Sequence, residues 1–272
     1  MKKLSLLTFA VFINSTFIFS QGSNKATISF KAGPAFPTRH FASTNLYDES
    51  SGFAKTGETI SVSYAKPIAK KIAFLINLSG QRNPINRSAF EASFSKAKIY
   101  QGFYFGSDPN NPPPQTNYEI YPNWTFEKGL WLHAALQLGA EGRFPLNEQK
   151  NIQLITNATI GSLYATSPGL KGNSFTDTAS AVLTESKSSA FGLIYSLACG
   201  LNYHLNKRCF ITSALNYTGT SKVEFKNVRT VLTTTKGNFG TPGYSVQQST
   251  ITANGKQSIT SVNLLIGFGI SL

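Results

Sequence analysis

The sequence predicts an all-β fold, an eight-stranded antiparallel up-and-down β-barrel that crosses a membrane, and three observations predict it. First, the chain ends in strict alternation. Val262, Leu264, Ile266, Phe268, Ile270 and Leu272 fall on one face, and Ser261, Asn263, Leu265, Gly267, Gly269 and Ser271 on the other. Successive side chains of a strand point to opposite faces, so this is a strand with one greasy side and one mostly small or polar side. Second, seven earlier stretches repeat that pattern, and the connections between them alternate long and short. Third, charged residues make up 14% of the chain, mean hydropathy is −0.11, and no window holds the roughly 18 consecutive apolar residues that a spanning helix needs. Lipid can also be crossed by a closed barrel, whose alternating segments average to mild hydropathy.

The chain begins with Met1-Lys2-Lys3, an apolar run from Leu4 to Phe19, and small residues around Ser20 to Ser23. That order reads as a secretory signal peptide over residues 1–20, leaving 21–272 as the barrel domain. The first strand carries Ile28, Phe30, Ala32, Pro34 and Phe36 on its apolar face, and a polar loop follows from Arg39 to Lys55. Ile60, Val62 and Tyr64 mark the second strand, a turn at Lys66 to Lys70 sends the chain back, and Ile72, Phe74, Ile76 and Leu78 mark the third. Gln81 to about Lys128 is the largest loop. Its prolines from Asp108 to Pro114 cannot continue a ladder, because proline lacks the donor, and its aromatic flanks suit strand extensions or a small hairpin.

Leu130 to Ala140 gives the fourth strand, with Trp131, His133, Ala135, Gln137, Gly139 and Glu141 on the opposite face. A turn around Pro145 to Lys150 leads to the fifth, Ile152, Leu154, Ala158 and Ile160, and a polar loop runs from Ala165 to Ser188. The sixth strand spans Phe191 to Tyr203, and the His204 to Arg208 turn leads to the seventh, with Ile211, Leu215 and Tyr217. A last long loop, Gly219 to about Gln257, precedes the closing strand. Short turns on one side and long loops on the other are the asymmetry of membrane barrels. A water-soluble eight-stranded barrel would instead carry long polar side chains outside and apolar ones within. Here the non-apolar face is mostly Ser, Thr, Gly, Ala and Asn, which suits a crowded narrow lumen. Aromatics near the strand ends, at Phe36, Tyr64, Tyr164, Phe191, Tyr203 and Tyr217, match interfacial girdles.

Over roughly residues 24 to 272 the chain resembles the eight-stranded outer-membrane β-barrel domain common in Gram-negative bacteria, and its leader, ending Phe19-Ser20-Gln21, is similar to those of Bacteroidetes exported proteins. The resemblance implies residence in the cell outer membrane and insertion by the outer-membrane assembly machinery, with Phe268 four residues before the terminal Leu272. It is a resemblance of fold, and it carries no catalytic residues across.

Formal charge is +13 and the pI is 9.7. The positive residues sit singly at turns and loops, with no basic helix and no aromatic RNA-binding motif, which excludes nucleic acid as the partner. Anionic outer-membrane lipid and lipopolysaccharide phosphates are the neighbours that charge attraction favours. Lys222, Lys226, Arg229, Lys236 and Lys256 face a single acid, Glu224, in the fourth loop and form an extracellular basic stretch. Lys31, His133, Glu141 and Arg143 point into the expected lumen, where buried charges need partners, so interior ion pairs or hydrogen-bonded waters are expected among them.

His40, His133 and His204 are the only histidines, and none has metal-ligand spacing with another or with a cysteine. The first loop also holds Ser43, the pairing to weigh for a lipid-modifying enzyme, but neither His40 nor Ser43 sits in a motif. No catalytic residue, cofactor or metal is expected. With strands six and seven paired through the His204 to Arg208 turn, Cys209 is expected opposite Tyr203, four residues and roughly 13 Å along the strand from Cys199, too far for a disulfide, so both are expected as free thiols facing lipid. The reading is a monomeric barrel whose structural or adhesive role resides in its outer loops, with a narrow transport barrel as the alternative.

Overall fold

Alternation builds a wall only if every ladder edge finds a partner, and here the two end strands find each other. The structure, a computed structural model, describes residues 25–46, 48, 50–97, 99–100, 104–105, 118–119, 121–149, 151–177, 179–237 and 243–272. The leader and the proline stretch from Asp108 to Pro114 lie outside them. Among the described residues the strands are β1 (Thr27–Pro37), β2 (Gly57–Ala69), β3 (Ile72–Pro84), β4 (Ile99–Tyr100), β5 (Tyr104–Phe105), β6 (Tyr118–Glu119), β7 (Thr125–Phe126) and β8 (Leu130–Pro145), followed by β9 (Ile152–Thr166), β10 (Leu170–Phe175), β11 (Ala179–Glu185), β12 (Ser189–His204), β13 (Cys209–Thr220), β14 (Val223–Lys236), β15 (Ser245–Gln257) and β16 (Thr260–Ser271). β1, β2, β3, β8, β9, β12, β13 and β16 close into an antiparallel barrel, with β16 returning to β1 so that Phe30 sits opposite Phe268. A closed ladder has no edge and satisfies its backbone groups internally, which lipid requires.

The two faces sort as the alternation dictates. Leu264, Ile266, Phe268 and Ile270 of β16 point outward and stay exposed, whereas Asn263 and Leu265 point inward and are buried. In β8, Leu132, Leu136 and Leu138 lie outside, with Trp131, His133, Ala135, Gln137 and Glu141 inside. Water would reject such an exterior and lipid accepts it. Single-chain barrels of even strand number with this exterior are an outer-membrane architecture, and that places the chain in the cell outer membrane. Short connections join β2 to β3, β8 to β9 and β12 to β13 at the periplasmic end, beside both ends of the wall, and the four long ones lie outside the cell. Tyr64 and Tyr203 lie toward the periplasmic end, and Phe36, Tyr164, Phe191 and Tyr217 toward the outer one, with Tyr164 and Phe191 in ring contact at 5.0 Å. The inward face is tight enough that a Cβ on Gly161 would collide with the carbonyl oxygen of Leu136 on the next strand, so that position admits glycine alone.

Three expectations need correction. The wall strands are longer than the apolar runs suggest. β8 and β12 each have 16 residues, roughly 40 Å along the barrel axis at ordinary rise and tilt, well beyond the apolar band. Their surplus continues outside the membrane. The outer segments are also not simple polar loops, because β15, β14, β11, β10 and β7 form a second, five-stranded sheet in that order. The segment expected to form strand extensions or a small hairpin holds a helix, Arg87–Phe94, and a small sheet in which β4 pairs antiparallel with β5 on one side and β6 on the other. Lastly, Cys209 does not lie opposite Tyr203. Tyr203 pairs with Ile211 and Cys199 with Leu215, a register two residues off the expected one, because strand pairing begins at His204 with Phe210. Both thiols are free, as the separation along the strands requires.

Candidate functional site

The lumen is crossed by side chains. Ser63 Oγ donates to Asn77 Oδ1 at 2.8 Å, Asn77 Nδ2 to Gln137 Oε1 at 3.0 Å, and Gln137 Nε2 to Ser196 Oγ at 3.1 Å, which meets Thr159 Oγ1 at 2.6 Å. One hydrogen-bonded chain thus runs from β2 through β3 and β8 to β12 and β9. A second bridge joins β16 to β3, where Ser261 Oγ donates to Gln81 Oε1 at 3.2 Å and Gln81 Nε2 donates to Asn83 Oδ1 at 2.7 Å. A luminal space of about 40 Å³ remains, lined by Ser61, Asn157 and Asn263 among others, and each of these three carries a buried polar atom with no hydrogen-bond partner among the described residues. That space is polar and roomy enough for a few waters and far too small for a solute path.

The four charged residues expected in the lumen are all inside, but they do not form one cluster. Arg143 Nε donates to Glu141 Oε1 at 2.6 Å, and Arg143 Nη2 donates across to Thr27 Oγ1 of β1 at 2.9 Å, near the periplasmic end. Lys31 is buried within electrostatic reach of Glu141. His133 is eight residues from Glu141 along β8, about 26 Å away, and lines the upper part of the lumen beside Gln81.

Above the bridges the mouth is shut by apolar side chains. Phe41, Ala135, Leu163, Ile194, Val223, Phe225 and Ile259 pack with Trp131 into a buried cluster. Trp131 is its keystone: its ring meets Phe41 at 5.6 Å and Phe225 at 5.7 Å, and its Nε1 donates to the carbonyl of Gly52 at 2.9 Å. The first outer segment and the fourth are thereby pinned to the wall.

The outer sheet packs on a second aromatic cluster. The helix Arg87–Phe94 is capped by Asn86, whose side chain accepts from Ala89 N, and it places Phe90 and Phe94 one turn apart on the same face. Phe90 meets Phe53 at 4.9 Å and Phe126 at 4.8 Å edge-on, and Phe94 meets Trp124 at 5.5 Å, with Leu183 of β11 and Leu232 of β14 completing the core. Edge-to-face aromatic contacts add to the burial of large apolar area. The helix is tied down by Glu91. Burial works to raise its carboxyl, yet the bonds donated by Arg87 Nε at 2.7 Å and by Phe126 N at 2.9 Å hold it below the usual range.

Between these two clusters lies a chamber of about 680 Å³, open to the outside and sharing no lining residue with the luminal space. Phe53, Phe90, Trp131, Leu170 and Phe225 give it apolar walls, and Asp48, Glu185, Glu224 and Lys256 give it charge. Asp48 is engaged by Ser50, whose hydroxyl and amide both donate to it, and by His40, which together hold its carboxyl below the usual range. Glu185 is different. Its side-chain partner among the described residues is the Thr230 hydroxyl at 3.3 Å, and burial pushes its carboxyl up to about 7 from 4.5 despite that bond. The sequence reading misses Glu185, although Ala181, Leu183 and Glu185 share one strand face, and an acid continuing a buried apolar face is the signal that points to it.

The sign of the consequence follows from where the proton sits. Between pH 4.5 and about 7 the folded state keeps a proton on Glu185 that the unfolded chain has lost, so stability falls as pH rises through that window. The shift sets an upper bound of about 3 kcal/mol. Both tryptophans, Trp124 and Trp131, lie in the outer half, so their fluorescence follows this half of the molecule. Denaturant titrations read by that signal are expected to show a lower midpoint at pH 8 than at pH 5, and Glu185→Gln to flatten the difference. An unchanged slope in the variant would assign the pH dependence to other groups.

His40 and Ser43 do not assemble a catalytic relay. Asp48 Oδ2 at 3.2 Å and Ser50 Oγ at 3.0 Å both meet the same ring nitrogen, Nδ1, so the imidazole does not stand between an acid and a hydroxyl, while Ser43 Oγ accepts from Ser51. The basic residues of the fourth segment also differ from the expected loop patch. Lys222 precedes β14, and Lys226, Arg229 and Lys236 are exposed along it, so the four are strung over roughly 45 Å of extended strand.

No protein-family model matches the chain, and no curated protein matches it either. Solved structures do. Neisserial surface protein A is 10% identical over 93% of this chain and 100% of its own, with a TM-score of 0.42. A major outer membrane protein from Thermus thermophilus is 12% identical over 91% of this chain and 99% of its own, with a TM-score of 0.41. The attachment invasion locus protein Ail of Yersinia pestis is 11% identical over 91% of this chain and 97% of its own, with a TM-score of 0.38. The barrel itself rests on the strand pairing described above.

Proposed function

We propose that this is an outer-membrane interaction protein, in which the barrel is the anchor and the extracellular sheet with its chamber is the working part. The observation that carries the reading is the division of one chain into a plugged wall and a folded outer module that has its own aromatic core. A solute conduit would leave the lumen open, whereas hydrogen-bonded side chains bridge it and Trp131 and Phe225 cap it. A lipid-modifying enzyme would need a relay at His40, and the shared Nδ1 argues against one. Lys222, just before β14, and Lys226 and Arg229, exposed along it, suit the phosphates of surrounding lipopolysaccharide. Export by a cleaved leader over residues 1–20, the Bacteroidetes-type origin that its residues resemble, insertion by the assembly machinery and a monomeric state belong to the same proposal.

Planar bilayers test it directly. The reconstituted protein is expected to stay electrically silent, and steady single-channel steps would overturn the anchor reading in favour of a narrow transport barrel.

A further inference from the structure

The chamber joins a large aromatic-lined space and a half-buried carboxylate, Glu185, whose side-chain partner among the described residues is one hydroxyl. Its volume of about 680 Å³ falls within the range of small-molecule sites. Its charge runs against the chain as a whole. In a protein of formal charge +13, three carboxylates and one ammonium line the space. Two of the carboxylates are accounted for. Asp48 is held by Ser50 and His40, and Glu224, at the exposed rim, accepts from Asn254 and lies opposite Lys256 in the β14–β15 pairing. Glu185 is left, among the described residues, with a single hydroxyl.

A buried carboxylate without a cation is costly, and a neutral or anionic ligand would leave it so. Aromatic ring faces attract cations in their own right, and more strongly where water is excluded. We propose that the chamber binds an amphipathic organic cation, with its ammonium on the Glu185 carboxylate and its apolar body against Phe53, Phe90, Trp131 and Phe225. This names the ligand class of the extracellular module and rests on that module being the working part. Lys256 stands opposite Glu224 in the β14–β15 register, and no ion pair joins it to Glu185 among the described residues.

The test uses the full chain in nanodiscs of zwitterionic phosphatidylcholine at pH 8, with Trp124→Phe so that Trp131, which lines the chamber, is the one remaining indole. Three probes share a bromophenyl body that quenches indole fluorescence on contact: 4-bromophenethylammonium, 4-bromophenethyl alcohol and 4-bromophenylacetate. The ammonium is expected to bind at least tenfold more tightly than the other two. Glu185→Gln should bring it down to the level of the alcohol while leaving the alcohol unchanged, and Glu224→Gln should keep the preference. Equal quenching by all three probes, or a preference that survives Glu185→Gln, would overturn the cation site while leaving the outer module as an apolar binding surface. No quenching by any probe would overturn the chamber as a ligand site, and the anchor reading would then stand or fall on conductance alone.

Discussion

Replacing Glu141 by leucine is expected to destabilise the barrel by about 3 kcal/mol, because it leaves the Arg143 guanidinium inside the wall with, among the described residues, the Thr27 hydroxyl alone to meet it. The pair sits near the periplasmic end of the lumen, where its side chains are 9% and 19% exposed, so the lone arginine cannot swing fully into water. A surface ion pair would cost well under 1 kcal/mol to break, and this difference makes burial the deciding variable. The double change Glu141→Leu with Arg143→Met removes both charges and is expected to recover most of the loss, since a buried pair replaced by apolar groups of similar volume is close to neutral. Urea titration of the refolded protein, read by the different gel migration of boiled and unboiled samples, measures both. If the double variant proved as unstable as the single one, the stabilisation would lie in the packing of these side chains and not in their charges.

The wall was legible because its signal has period two and lipid enforces it. Every outward position of β16 from Leu264 to Ile270 is apolar, the inward ones are glycine apart from Leu265, and a register slip of one residue would exchange the faces. The outer module obeys no such rule, since its strands bury one face against a local aromatic core and leave the other to water. Its signals are correspondingly short. In β14 the pairing register shifts between Phe225 and Val228, with Asn227 in the left-handed region at φ 55°, so the apolar residues fall out of alternation where the strand bulges. The Thr233 to Thr235 run that follows reads as polar loop although β-branched threonines favour strands. The helix was visible only as Asn86 followed by Phe90 and Phe94 with an Arg87–Glu91 pair at helical spacing, a motif of nine residues inside a segment whose proline run and scattered aromatics favour loops and strands. Glu185 was hidden for a further reason: the residues that line the chamber with it, Thr230, Phe53 and Trp131 among them, come from β14, the first outer segment and the wall strand β8, and only the fold brings them together.

The separateness of the two halves makes the last prediction a test of the architecture. Phe90 contacts Phe53, Phe94 and Phe126, so Phe90→Ala removes the ring on which the helix, the first outer segment and β7 converge. Truncating a buried phenylalanine costs roughly 3–5 kcal/mol, much of what a module of this size can hold. The barrel wall below does not use that ring. Its core at this level is the Trp131 cluster, and its ladder is closed without help from the outer sheet. Local units of a protein can open with free energies far below the global one, and the outer module is such a unit. Phe90→Ala is therefore expected to redshift Trp124 emission and to lower the denaturant midpoint of the tryptophan signal, while the unboiled protein still migrates as a closed barrel. Loss of both signals together would mean that wall and outer module fold as one cooperative body, and the chamber could not then be altered without unmaking the anchor beneath it.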